Sequence, residues 1–316
     1  MIKRSATRLR TLTAVAVPAT LLLAGCGGPL AGDGSGDGPR VVASFYPLEY
    51  VAERIVGEHA DVVNLTSPGV EPHDLELSVR QTAEVSEADL VVYEKDLQPA
   101  VDEAVEQHGP DQVVEVSEVV DLAPLDPAEH EDESDEEHAD HAESDVDLHF
   151  WLDPERLGTL AEEVQRRMSE LDPDHAADYE ANLEALRQDL AEVDAAYEKG
   201  LADCEIQTVV VSHDAFGYLE KYGLHFASIA GLSPDAEPSA AHLAELADLI
   251  ESEGVTTVFS ETLASPAMAE TLARDLGIET AVLDPIEGPG DEGSDEDYLS
   301  LMRTNLAELE RANRCR

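Results

Sequence analysis

Basic and aromatic side chains are scarce in this chain of 316 residues. Nineteen lysines and arginines (19) face 70 aspartates and glutamates, and aromatic residues make up 4% of the whole. The formal charge of −51 excludes nucleic acid and anionic lipid surfaces as natural partners, since both would repel the chain. Acidity of this kind, with so few lysines, fits solubility in a salty habitat. Cysteine is sparse too, with 3 in all, and none stands in a metal-ligand spacing. The lack of thiolate clusters argues against a soft copper(I) site. What remains is a length that suits two domains of ordinary size.

The N-terminus reads as a targeting segment. Lys3, Arg4, Arg8 and Arg10 form a positive start, and residues 12–23 form an apolar stretch too short for a comfortable membrane span. Leu23-Ala24-Gly25-Cys26 then matches a lipoprotein cleavage box, with an ordinary secretory signal as the alternative. The expectation is a signal peptide over residues 1–25 and a lipid on Cys26. A flexible tether over residues 26–39, rich in Gly, Asp and Pro, would follow. The protein would then work outside the cytoplasm, anchored to the cell membrane. Cys204 and Cys315 are left as an even pair in an oxidising compartment, and a disulfide between them is expected.

From residue 40 onward, short β-branched runs alternate with amphipathic stretches. Residues 41–45, 62–66, 90–93 and 113–116 read as strands, with helices over 47–56, 78–87 and 97–108. The pattern returns in the second half, with strands at 208–212, 225–229, 256–260 and 280–283. Helices are expected there over 215–222, 238–253, 266–276 and 296–312. Such alternation predicts an α/β protein of two parallel-sheet lobes, residues 40–153 and 204–316. Between them, residues 154–171 and 173–201 read as two helices, each preceded by an aspartate N-cap, Asp153 and Asp172, and opened by proline. The second is expected as a rigid spacer about 43 Å long.

Three histidines stand just after strand-like runs, far apart in sequence: His73, His149 and His213. Open parallel sheets bind ligands beyond the carboxyl ends of their strands, so all three fall where the lobes should face each other. Neutral imidazoles meeting in a cleft suit a transition metal, zinc above all. For a fourth ligand the order of preference is Glu287, then Asp284, with Glu261 as an outer partner; water is the alternative. Residues 126–147 form an acidic loop carrying His130, His138 and His141. It reads either as an auxiliary collector of zinc or as a solvated linker.

Five short motifs then stand in one order: Ser44-Phe45-Tyr46-Pro47, Glu71-Pro72-His73-Asp74, His149-Phe150-Trp151-Leu152-Asp153-Pro154, Ser212-His213-Asp214-Ala215-Phe216-Gly217-Tyr218 and Asp284-Pro285-Ile286-Glu287-Gly288. In this the chain resembles the zinc/manganese solute-binding lipoproteins of ABC transporters, from Val41 to the C-terminus. The resemblance implies two lobes joined by a long rigid helix, with metal held at His73, His149 and His213. Manganese members resemble this pattern but carry a carboxylate where His213 stands, so zinc is implied over manganese.

These readings converge on an extracytoplasmic receptor, not an enzyme. It would capture zinc between its lobes and deliver it to a membrane permease powered by an ATPase, acting as a monomer. Two other classes stay open, a zinc hydrolase and a surface adhesin or zinc buffer without a permease. No helical His-Glu-x-x-His motif supports the hydrolase. Zinc affinity is expected to fall as pH drops through the histidine range near 6.5.

Overall fold

Adjacent valines mark five of the eight described strands, and the central strands of each sheet are buried on both faces. The computed structural model describes residues 38–125, 146–234, 236–288 and 296–316. In the first lobe β1 (Arg40–Ala43), β2 (Asp61–Asn64), β3 (Leu90–Tyr93) and β4 (Val113–Glu115) form one sheet. The strand order is β2-β1-β3-β4 and every pairing is parallel. Alternation along β1 sends Val41 and Ala43 into one core and Val42 into another. The first core includes Leu48, Val51 and Ile55 of α1 (Tyr46–Val56). The second takes Val85 of α2 (Val79–Glu87) and Val101 of α3 (Pro99–His108). A sheet buried on both sides needs apolar residues at consecutive positions, hence Val41-Val42 and Val91-Val92.

The second lobe repeats the plan. Its strands are β5 (Thr208–Val211), β6 (His225–Ser228), β7 (Thr257–Ser260) and β8 (Glu279–Val282), in the parallel order β6-β5-β7-β8. Val210 packs with Leu246 and Ile250 of α6 (Ala240–Glu253) and Ala273 of α7 (Ala267–Leu276). Val209 and Val211 join the larger core, which also holds Leu309 of α8 (Tyr298–Ala312). That core includes Val41 and Phe45 of the first lobe, so one apolar interior runs through both.

The connection is a hairpin of the two expected helices, and the second is the long spacer. α4 (Pro154–Leu171) starts at the Asp153 cap, whose side chain accepts from the Glu155 N–H at 3.0 Å. α5 (Ala176–Gly200) packs along α4 and has 25 residues, a length of about 38 Å. It is shorter than expected because Pro173–His175 form a 3₁₀ turn. The Asp172 carboxylate does not cap the helix there; it takes His175 Nδ1 at 2.6 Å and the Tyr179 hydroxyl at 2.8 Å. α5 fastens to both lobes. Asp189 accepts from Arg54 of α1 at 2.6 Å, Asn182 donates to the Ile55 carbonyl at 2.9 Å, and the Tyr197 hydroxyl donates to Met302 of α8 at 2.7 Å.

The segment expected as a helix over 215–222 is a 3₁₀ turn, Gly217–Tyr222. Side-chain anchors hold it: Lys221 donates to Asp153 at 2.7 Å and Tyr222 to Asp194 at 2.6 Å, before Gly223 ends it at φ 91°. α2, α6 and α8 begin one to two residues later than the sequence suggests, because Ser78, Ser239 and Asp297 serve as caps, while α1 begins one residue earlier, at Tyr46. Cys204 and Cys315 form the expected disulfide, closing a separation of 111 residues. Chain entropy sets its ceiling at about 4–5 kcal/mol. No helix among the described residues is long and apolar enough to cross a membrane.

Candidate metal centre

Strand order decides where the second lobe can bind. Its strand order reverses between β5 and β7, which opens a crevice beyond those two strand ends. His213 lies two residues past β5 and Glu261 directly follows β7, one on each side of that crevice. Glu287 arrives from the turn after β8. The first lobe contributes His73 from the loop between β2 and α2, and His149 precedes the short turn Phe150–Leu152 that leads into α4.

The structure brings His73, His149, His213 and Glu287 together, with one ligand atom of each within 4.8 Å of the others. Glu287 Oε1 lies 3.4 Å from His73 Nε2, 3.7 Å from His149 Nε2 and 3.5 Å from His213 Nε2. Ligands about 2.0–2.1 Å from a tetrahedral centre are about 3.3–3.4 Å apart, so these separations are close to the edges of a zinc tetrahedron. All four atoms are buried and none has a hydrogen-bond partner. Unpaired buried polar atoms are costly, and four of them aimed at one point fit a cation among them.

Two of the imidazoles are oriented by carboxylates behind them. His149 Nδ1 lies 2.9 Å from Asp147 Oδ1, which also accepts the His149 N–H at 2.9 Å. His213 Nδ1 lies 2.7 Å from Glu261 Oε1, and the same oxygen accepts the His213 N–H at 3.1 Å. The hydrogen bond on His149 Nδ1 and the close carboxylate on His213 Nδ1 leave Nε2 of each ring to bind a metal. Gly217 makes room for the first of these, since a Cβ there would sit 2.8 Å from Asp147 Oδ2.

The charges are strongly coupled. Burial opposes a proton on His213, but Glu261 and Glu287 outweigh it and push its pKa up to about 10. Burial likewise opposes a charge on His73, and Glu287 beside it raises its pKa. Burial would raise the Glu287 pKa, yet His213 and His73 hold it far below the usual carboxylate range. Without metal the cluster is therefore an ion pair, and a cation must displace a proton to enter.

Asp284, the second candidate for a fourth ligand, is not among the four. Its carboxylate accepts from the Thr262 hydroxyl and the Ile286 N–H, both at 2.7 Å. Asp284 builds the turn that aims Glu287, holding buried Ile286 at φ 61°, a strained conformation for a β-branched residue. Asn305 of α8 clamps the same turn, accepting from the Asp284 N–H at 2.9 Å and donating to its carbonyl at 2.6 Å. The Trp151 indole N–H donates to the Pro285 carbonyl at 2.7 Å, and the Tyr298 hydroxyl donates to the Trp151 carbonyl at 2.6 Å. Sequence reasoning missed Asp147, Trp151 and Asn305. Only Asp147 left a local signal, an aspartate two residues before His149. Cys26, His130, His138 and His141 lie outside the described residues.

Residues 41–312 match the family model described as the zinc-uptake complex component A, periplasmic. The chain belongs to that family. It is 36% identical over 296 residues to the high-affinity zinc uptake system protein ZnuA of Bacillus subtilis, covering 92% of this chain and 93% of that protein. It is 34% identical over 293 residues to the zinc-binding lipoprotein AdcA of Streptococcus pneumoniae; that match covers 92% of this chain and 58% of AdcA. The chain thus spans little more than half of AdcA. Among solved structures, the laminin-binding protein Lmb of Streptococcus agalactiae matches with a TM-score of 0.75 and 27% identity. That match covers 87% of this chain and 99% of Lmb, which is described as a bifunctional protein with adhesin and metal transporting activity. The two-lobed fold is common to this zinc-uptake family.

Proposed function

We propose that this chain is the extracytoplasmic receptor of a zinc importer, holding one Zn²⁺ on His73, His149, His213 and Glu287. The observation that carries this reading is the set of four buried, unpartnered ligand atoms, with Glu287 Oε1 3.4–3.7 Å from each imidazole Nε2. Three nitrogens favour zinc over manganese, which prefers oxygen. Copper(II) and nickel would compete at such a site, so selection rests on geometry and supply. Four protein ligands leave no open position for a substrate, which separates this centre from catalytic zinc sites and supports a receptor over a hydrolase. The names of AdcA and ZnuA point the same way. On this reading the receptor is monomeric, is tethered through a lipid on Cys26, and passes its ion to a permease driven by an ATPase. The acidic loop with His130, His138 and His141 would gather zinc for the cleft.

Capture requires that the imidazoles lose their protons and that water stay out. Asp147 and Glu261 hold two rings in the tautomer that binds, and Glu287 supplies the negative charge that offsets the ion. The test is growth of a strain lacking this gene in chelated medium. The intact gene should restore growth, added zinc should replace it, and Glu287→Gln should fail at low zinc. A second reading, adhesion, is favoured by the description of Lmb. Deletion that leaves growth in chelated medium unchanged while abolishing attachment to laminin would favour it over transport.

A further inference from the structure

His73 stands apart from its two fellow histidines. Asp147 and Glu261 sit behind the rings of His149 and His213, but among the described residues the His73 ring meets carboxylates only through Nε2, while the Glu71 carboxylate takes the backbone N–H groups of His73 and Asp74. Its ring must therefore be placed by its backbone. The carbonyl of Pro72, one residue earlier, accepts two hydrogen bonds: from the Leu75 N–H at 3.2 Å and from the Gln98 side-chain amide at 3.1 Å.

We infer that Gln98 is a positioning residue for the bound ion, its amide holding His73 in the cluster through the Pro72 carbonyl. This deepens the zinc-receptor reading and rests on it. Gln98 is fully buried and opens α3, but its side chain does not cap that helix. Its backbone carbonyl does, accepting from Val101 at 2.9 Å and Asp102 at 3.1 Å. The side chain faces the strand ends instead. Gln98 Nε2 donates to Thr66 Oγ1 at 3.0 Å, and that hydroxyl donates onward to the Ser44 carbonyl at 2.8 Å. The amide nitrogen is thereby fixed between the end of β1 and the loop that carries His73. Gln98 Oε1, by contrast, is buried without a partner. An unmade hydrogen bond destabilises the fold, and an apolar residue of the same length would avoid that cost. A side chain that leaves its acceptor unsatisfied while aiming its donor at Pro72 is placed for the site rather than for packing.

The experiment compares the wild-type protein with Gln98→Met, which keeps the length and removes the donor. Neither Pro72 nor Thr66 is orphaned by that change, because the first keeps Leu75 and the second keeps Ser44. Zinc affinity, read by competition with a chelating dye, should fall about tenfold, the lower end of losses seen for outer partners of metal ligands. The visible spectrum of the Co²⁺-loaded protein should change with it, since one imidazole is misplaced. The melting temperature of the metal-free protein should not fall. Thr66→Val, which removes the hydroxyl steering the amide, should give a smaller loss of the same kind. Wild-type affinity and Co²⁺ spectrum in Gln98→Met would overturn the inference. So would a Gln98→Met protein that loses affinity only along with metal-free stability while Thr66→Val binds normally. Failure of the wild-type protein itself to bind zinc would overturn the receptor reading beneath it.

Discussion

The two lobes share a strand order and differ in how firmly they hold what they bring to the cleft. The second lobe places His213 at its sheet reversal and Glu287 on a turn clamped by Asp284, Asn305 and Trp151. Their side chains are 0% and 1% exposed. Among the described residues, the first lobe places none of the four ligands at its equivalent crevice. It sends His73 in on the loop from its outer strand β2, and that side chain is 15% exposed. His149, from the connection, is buried like the second-lobe ligands and backed by Asp147. A sheet topology thus fixes where a site can form, while side-chain networks decide which ligand is rigid. Of the four ligand side chains, that of His73 is the most exposed.

The largest effects should come from the ligands. Glu287→Gln and His213→Ala should each weaken zinc binding by more than the roughly 100-fold that loss of an outer partner costs. His73→Ala should lose less in the same titration, because truncating a side chain that is already 15% exposed lets water take the vacant position. Equal losses at all three would break the comparison between lobes.

Next come the partners behind the rings. Glu261→Gln and Asp147→Asn should each weaken zinc binding about 10–100-fold. Glu261 should matter more, since it stands 2.7 Å from its ring nitrogen, against 2.9 Å for Asp147. Calorimetry of both variants would rank them, and a larger loss at Asp147 would reverse the proposed order of rigidity.

Protons should matter over a wider range than histidine alone implies. The raised pKa of His213 means that its proton stays on in the metal-free protein until about pH 10. Each zinc must expel it, so affinity should rise by about tenfold per pH unit between about pH 7 and 9. Below the ordinary histidine range the fall should steepen. An affinity already flat above pH 7 would show that Glu287 and Glu261 do not hold His213 charged.

Smallest should be the effect of Lys221, whose ammonium lies 2.7 Å from Asp153, 3.3 Å from Glu155 and 2.9 Å from Asp194. Those three carboxylates could otherwise gather a cation, but the lysine already fills the place and ties the second lobe to the hairpin. Lys221→Met should cost about 1 kcal/mol, roughly 2–4 °C in melting temperature, and leave zinc affinity alone. A tenfold change in affinity would mean that the fastening between lobe and hairpin shapes the site.

Much of this was legible in the residues. Five strands announced themselves as valine pairs, and His73 and His213 follow strands of their sheets, whereas His149, expected after a strand, enters from the segment that leads into α4. Asp284 was visible but misread. Asp-Pro followed by a buried isoleucine is turn chemistry, and the carboxylate serves its own backbone. The role of Asp147 was readable from its spacing to His149, whereas those of Trp151, Asn305 and Gln98 were not. Each of these three acts through contacts that only the folded chain brings together, across separations of 134, 21 and 26 residues. The 3₁₀ turn at Gly217–Tyr222 escaped notice for the same reason, since its anchors Asp153 and Asp194 belong to the connecting segment.

X-ray absorption at the zinc edge, on protein loaded with one equivalent, tests the central claim most directly. Three imidazole nitrogens and one carboxylate oxygen at about 2.0–2.2 Å are expected, with the outer scattering of three rings. A shell of oxygens alone, or one with fewer than three imidazoles, would contradict the centre described here.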